Sequence, residues 1–164
     1  MNLEAEKLVY SAGLLLQQGQ AGEAASVLHD CILQFPETGK AHAMLGYIYQ
    51  RFFKEPTASE EYFKKAMSFA PDYTDTYIYY ADALLLQERM TEMTAILNKA
   101  LSTTGAEKNK VYYYFGLMNE RMSKFEEAVE NYQRAILFCL DDKEMESYQK
   151  SVDRCLAKQK MYSL

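Results

Sequence analysis

The amino-acid sequence predicts an all-α protein built from repeated helical hairpins. Three observations support this class: small residues recur at a fixed interval, apolar residues follow helical spacing, and all three prolines fall between the predicted helices. A single hairpin cannot bury its own apolar face, so we expect successive hairpins to stack on one another. The chain has 164 residues, of which 49% are hydrophobic, which is enough to form a core shared between neighbouring hairpins.

The clearest predicted hairpin lies between residues 111 and 135. Its first helix carries an i, i+3, i+4, i+7 stripe, and its second helix carries a similar inward stripe; the residues are Tyr112, Phe115, Gly116 and Asn119, then Ala128, Tyr132, Ala135 and Ile136. Gly116 and Ala128 are small, which would let the two helices approach closely. Between the helices, Ser123 and Glu126 have the spacing of a capping box, so Ser123 is predicted to cap the second helix.

Weaker copies of this hairpin lie upstream. Counting back from Gly116, small residues recur after 35, 35 and 34 residues, at Ala81, Gly46 and Ala12. Counting back from Ala135, steps of 35, 34 and 35 residues lead to Ala100, Ala66 and Cys31. Such a period is typical of stacked helical hairpins. The second copy has one extra residue, which we assign to its turn at residues 53–56.

These positions resemble the tetratricopeptide-repeat (TPR) family over roughly residues 5–140. The matching residues are Leu8, Ala12, Leu15, Gly19, Ala24, Leu28 and Pro36; Leu45, Gly46, Tyr49, Phe63, Ala66 and Pro71; Tyr77, Ala81, Leu84, Leu97 and Ala100; and Tyr112, Phe115, Gly116, Ala128, Tyr132 and Ala135. The chain departs from the family pattern in having no tryptophan, a bulky Met93 at a small-residue position, and Gly105 and Leu140 where proline is usual. The resemblance implies a right-handed α-solenoid of four hairpins, at about residues 5–38, 39–72, 73–107 and 108–141.

The last segment, residues 142–164, is predicted to form one amphipathic helix. Its apolar side carries Met145, Tyr148, Val152, Cys155 and Leu156. Because a stacked array leaves its last hairpin with an exposed apolar face, we interpret this helix as a cap and not as a docking helix for a partner. Capping boxes are also predicted at Asp141 with Glu144 and at Thr57 with Glu60.

Composition excludes several classes of function. A net charge of −5 makes nucleic acid an unexpected partner, and no apolar run approaches the roughly 20 residues of a membrane span. The three cysteines are odd in number and widely spaced, and the two histidines have no metal-triad spacing, so we expect no metal, no cofactor and no enzymatic activity. The cysteines fit a reducing, cytoplasmic location. The apolar residues 8–16 are assigned to the first helix and not to a secretion signal, because Glu4 and Glu6 precede them.

The TPR resemblance also implies where a partner would bind. In this family the first helices of the hairpins line a concave groove that holds a peptide or protein segment. The corresponding residues here are Tyr10, Met44, Tyr47, Tyr79, Asp82, Tyr113, Tyr114 and Leu117. Tyrosine combines a large apolar area with few rotatable bonds, so it suits a binding surface, although the same tyrosines would also suit packing between repeats.

The groove positions also bear on the kind of partner. TPR domains that hold the acidic tails of heat-shock chaperones use lysine, asparagine and arginine, and those residues are absent at the corresponding positions. With Asp75, Asp82 and Glu120 at the edge of the groove, we expect a ligand with few acidic groups. The leading hypothesis is an adaptor or scaffold. A small cytoplasmic chaperone for a secreted partner and a self-associating module that forms homo-oligomers are the alternatives.

Overall fold

The computed structural model describes residues 2–162, and this part of the chain contains nine α-helices and no strand. The helices are α1 (Leu3–Gln17), α2 (Ala21–Gln34), α3 (Gly39–Ile48), α4 (Pro56–Phe69), α5 (Asp75–Leu86), α6 (Met90–Ser102), α7 (Lys108–Arg121), α8 (Phe125–Phe138) and α9 (Asp142–Tyr162). The predicted all-α fold of four hairpins followed by a terminal helix is therefore confirmed. None of the described helices is both long and apolar enough to cross a membrane.

The helices form two compact units. The N-terminal unit ends at Ala83 and the C-terminal unit begins at Leu84, so the division falls within α5. In the N-terminal unit, α1 packs on α2, α2 on α3 and α3 on α4, around a core that includes Ala12, Leu28, Cys31, Leu45 and Ile48. In the C-terminal unit, α7 packs on α8 and α8 on α9.

Small and large side chains are matched where the helices of a hairpin meet. A Cβ atom on Gly46 would lie 2.6 Å from ring carbons of Phe63, and one on Gly116 would lie 2.5 Å from ring carbons of Tyr132. The first repeat pairs an alanine with a smaller, non-aromatic side chain instead. Ala12 occupies the repeat position of Gly46, and Leu28 occupies that of Phe63. The two glycines are thus required by the aromatic rings that pack against them.

Three of the four hairpin turns share one backbone geometry. Gly19, Glu88 and Ser123 have φ of 78°, 58° and 59°, and the next residue's N–H donates to a carbonyl five residues back, at N···O distances of 2.9, 3.0 and 2.9 Å. This is the Schellman closure of a helix C-terminus. The capping box predicted at Ser123 is therefore wrong, because Ser123 closes α7 and the N-cap of α8 is Lys124, which makes no side-chain capping bond.

The other two predicted capping boxes differ in outcome. The box at Thr57 is wrong, because α4 already begins at Pro56, which places Thr57 inside the helix. Of the capping box predicted at Asp141, the hydrogen bond to the N-cap side chain is confirmed, since the backbone N–H of Glu144 donates to Asp141 Oδ1 at 2.9 Å. A proline at the first helical position needs no amide partner, which explains why α4 starts there without a side-chain cap.

The extra residue of the second repeat lies in its first helix. Residues Tyr49–Phe53 form a π-helical turn after α3, and Lys54 follows with φ of 59°. The N–H of Glu55 donates to the carbonyl of Tyr49, six residues back, at 3.0 Å. The prediction that placed the extra residue in the turn at residues 53–56 is therefore wrong in part, because the residue is accommodated mainly in the π-helical turn. Such π-helical turns are frequent at functional sites.

The terminal helix α9 packs its predicted apolar side against the fourth hairpin. Tyr148, Val152 and Cys155 are buried, and Val152 and Cys155 share a cluster with residues of α8. Leu156 was predicted on the same side but is 41% exposed, since it lies one residue beyond the stripe that faces α8.

Candidate functional site

The candidate site of the N-terminal unit is a row of aromatic side chains on its first helices. The rings of Tyr47 and Tyr79 lie 5.0 Å apart between centroids, and Phe52 meets Tyr47 edge-on at 6.1 Å. We call Phe52, Tyr47 and Tyr79 the aromatic row. Tyr47 and Tyr79 are half-buried, whereas Phe52 is 46% exposed. Helices α3 and α5 and the π-helical turn between α3 and α4 position these rings.

The other predicted residues of this unit lie on the same helices as the aromatic row or on α1. Tyr10, on α1, is 70% exposed and occupies the repeat position of Met44 and Tyr79. Met44 is half-buried and packs against the core of the unit. Asp82 pairs with Arg51 at 3.6 Å, so the negative charge predicted at this edge is offset.

Phe52 and Arg51 were missed by sequence reasoning. Both lie in the π-helical turn, where the extra residue rotates the following side chains relative to the other repeats. The unequal spacing between Gly46 and Ala66 was the signal, because an insertion within a helix moves every later side chain around the helix axis.

In the C-terminal unit, the predicted residues lie on α7 and approach α8 and α9. The ring of Tyr113 stacks on Tyr148 at 4.8 Å and lies 5.6 Å from Tyr132. Leu117 and Tyr113 are half-buried and pack against the core cluster of this unit, and Tyr114 meets Tyr113 edge-on at 5.9 Å. Tyr113 therefore contributes to packing within the C-terminal unit.

A cavity of about 500 Å³ opens in the C-terminal unit next to Leu117. We call it the C-terminal pocket, and its lining consists of Leu85, Leu86, Leu117, Glu120, Arg121, Arg154 and Lys158. Three cationic side chains and one carboxylate thus surround three leucines. The pocket lies between the end of α5, the last turns of α7 and the second half of α9.

Glu120 is the most strongly held ionisable group of this pocket. Its carboxylate accepts bonds from Arg154 Nε and Nη2 at 2.7 and 2.6 Å, from Lys158 Nζ at 2.8 Å and from the Tyr132 hydroxyl at 2.7 Å. Burial alone would raise the pKa of Glu120, but these hydrogen bonds outweigh it and lower the pKa to about 2. Glu120 is therefore ionised throughout the physiological pH range. Its partners on α9, Arg154 and Lys158, lie 34 and 38 residues later in the chain. The spacing of residues within one helix therefore could not predict these ion pairs.

Within residues 2–162, no group of three or more histidine, cysteine, aspartate or glutamate side chains is placed to hold a metal ion. The three cysteines are buried free thiols. Burial raises the pKa of the Cys155 thiol to about 11, with the Glu120 carboxylate adding to the effect, so this sulfur is not an activated nucleophile.

Comparison with known proteins gives one family and many solved structures. A family model described as "Tetratricopeptide repeat" matches residues 39–73. No curated protein sequence matches the chain significantly. Similar structures include Pseudomonas aeruginosa pilF, at 22% identity and a TM-score of 0.84 over 97% of this chain and 70% of that one.

Two further structures extend the comparison. PilW, a widely conserved type IV pilus biogenesis factor, has 17% identity and a TM-score of 0.79 over 96% of this chain and 80% of its own. YrrB, described as a TPR protein with an unusual peptide-binding site, has 14% identity and a TM-score of 0.65 over 93% of this chain and 76% of its own. At these identities the likeness establishes a shared fold.

Proposed function

Since the chain is a tetratricopeptide-repeat protein, we propose that it is a non-catalytic interaction module that binds a segment of a partner protein. The binding surface is the first-helix face of the N-terminal unit, formed by the aromatic row with Tyr10 and Met44. The observation that carries this proposal is the aromatic row itself, in which the ring of Tyr47 contacts those of Phe52 and Tyr79 and all three remain partly accessible. Interfaces concentrate their energy in a few such aromatic residues.

The packing of the row favours binding for an entropic reason. Tyr47 touches both Tyr79 and Phe52, so the three rings are held in place before a partner arrives. A preordered surface loses little side-chain freedom on binding, and more of the contact energy is then available as affinity. With Asp82 paired to Arg51, the face offers mainly apolar contacts. We therefore expect a partner segment with apolar side chains here, and binding that depends only mildly on salt.

The structural relatives support the class of function. YrrB is described as having an unusual peptide-binding site. PilW is described as a biogenesis factor for type IV pili. Peptide binding in one relative and a part in pilus biogenesis in the other are both compatible with the interaction role proposed here. A scaffold for one partner and a chaperone for a secreted partner would use the same face.

Replacing Tyr47 and Tyr79 together by alanine is expected to weaken partner binding by at least about tenfold, because each ring is an anchor of the proposed face. The partner is first captured from the native cell on the immobilised wild-type chain and identified by mass spectrometry. Titration of that purified partner then compares wild type and variant, while circular dichroism measures helix content.

The matched control replaces Leu33 and Leu137 by alanine, since these side chains are 78% and 76% exposed on second helices of their hairpins. This control should bind as tightly as the wild type. A folded Tyr47→Ala/Tyr79→Ala variant that keeps full affinity would refute the face. If that variant unfolds while Tyr47→Phe/Tyr79→Phe folds and binds normally, the two rings serve packing.

A further inference from the structure

We propose that the C-terminal pocket is a second binding site, for a protein segment that presents an apolar side chain next to aspartate or glutamate. The inference rests on the proposed function, because it assumes that the chain binds protein segments. It concerns different residues, and it names the chemistry of the ligand at this site. Two features of the pocket support it, the sign of its exposed charge and its apolar floor.

The charge that the pocket presents to solvent is positive. The side chain of Glu120 is only 9% exposed, whereas those of Arg154 and Lys158 are each 45% exposed and lie over it. The two cations share this one carboxylate, so a positive charge remains in excess. Arg121, also in the lining, is 61% exposed and pairs with Glu88 at 2.9 Å across the protein surface. This local excess contrasts with the net charge of −5 of the whole chain.

The floor of the pocket is apolar. Leu86 is 55% exposed, and Leu85 and Leu117 are half-buried beside it. A volume of about 500 Å³ lies within the range of pockets that hold small ligands, roughly 300–1,000 Å³. The pocket can therefore accommodate one or two side chains with the backbone that joins them.

These two features together select the ligand. An apolar side chain would cover the leucines, and neighbouring carboxylates would meet the exposed cations, which favours acidic segments and disfavours basic ones. The sequence had suggested few acidic groups on a partner because Asp75, Asp82 and Glu120 were placed at the edge of the groove. In the structure the partners of Glu120 cover its charge, so the preference at this site is the opposite.

The test uses fluorescein-labelled peptides with acetylated and amidated ends, so that only side-chain carboxylates contribute. The acidic probe is Gly-Ser-Leu-Asp-Phe-Glu-Ser-Gly, and the basic probe has lysine at both acidic positions. Fluorescence polarisation with the full chain should show the acidic probe binding at least about tenfold more tightly, with an affinity that falls as salt rises. Equal affinity for the two probes, or no saturable binding of the acidic probe, would overturn the proposal.

Substitutions then locate the site. Arg121→Gln/Lys158→Gln should weaken binding of the acidic probe by about tenfold or more, while Arg154 and Tyr132 still hold Glu120. The control Lys124→Gln/Lys150→Gln makes the same change in net charge at exposed positions outside the pocket lining, and it should bind like the wild type. Equal weakening in both variants would show a non-specific charge effect and reject the pocket. Because the aromatic row is unchanged in these variants, capture of the native partner through that row can succeed even if the pocket proposal fails.

Discussion

A chain that lacks residues 142–164 is expected to lose most of its thermal stability in the C-terminal unit and to aggregate. Helix α9 buries Tyr148, Val152 and Cys155 against the fourth hairpin. Each buried side chain of this kind contributes about 1.5–3 kcal/mol, so their joint loss approaches the whole stability of a typical domain. Removal of α9 also takes both cationic partners from Glu120. The uncovered apolar surface of α8 would then associate between molecules.

Thermal denaturation followed by circular dichroism, together with light scattering, measures this effect. The matched control is a chain that ends after Tyr162, which retains the buried residues of α9, the partners of Glu120 and the contact of the Tyr162 ring with Phe125. We expect the control to melt close to the full chain and to stay dispersed. A chain without residues 142–164 that remained monomeric with an unchanged Tm would show that α9 does not cap the array.

Gly116→Ala is expected to destabilise the chain by about 1–3 kcal/mol, because the new methyl group would overlap the ring of Tyr132. The ring cannot easily move away, since the Tyr132 hydroxyl donates to Glu120 at 2.7 Å and the ring is fully buried. The same substitution at Gly22 is the control. Nothing lies within 4 Å of a Cβ there, and Gly22 is within α2. Because Gly22 lies in the first turn of α2, alanine should stabilise the helix by at most about 0.5 kcal/mol, the lower end of the range for helix interiors.

Urea denaturation of the two variants and the wild type gives both changes in the free energy of unfolding. Opposite signs for Gly116→Ala and Gly22→Ala would establish that close packing against Tyr132, and not a general effect of glycine, determines the outcome. If Gly116→Ala were as stable as the wild type, the matching of small and aromatic residues between the two helices would be refuted.

The hairpin order could be predicted because it depends on local spacing. The small residues at Ala12, Gly46, Ala81 and Gly116 recur with the period of one repeat, and each helix carries its own apolar stripe. The turns could not be predicted in the same way. Serine is favoured at helix N-caps, yet Ser123 adopts the left-handed conformation in which the first repeat has Gly19. At that position the closure of the preceding helix outweighs the preference of the residue.

The candidate site was predictable where it follows the repeat and not where it departs from it. Tyr47 and Tyr79 were predicted from their repeat positions, and their rings meet. Phe52 lies beside Tyr47 because a π-helical turn follows α3. The spacing of the other repeats gives no indication of this turn, so the position of Phe52 could not be predicted from them. The pairing of Arg154 with Glu120 depends on how α9 is rotated against α7, and one amphipathic stripe leaves that rotation loosely defined.

The most direct test of the proposed binding face is site-specific photo-cross-linking. A benzoyl-phenylalanine residue replaces Tyr10, on the first-helix face. In separate control variants it replaces Leu33 or Leu137, which lie on second helices and are exposed to a similar extent. After irradiation in the native cell, the partner is identified from the cross-linked product by mass spectrometry. We expect a specific adduct from position 10 and none from positions 33 and 137. Adducts from position 33 or 137, with none from position 10, would contradict binding at the first-helix face.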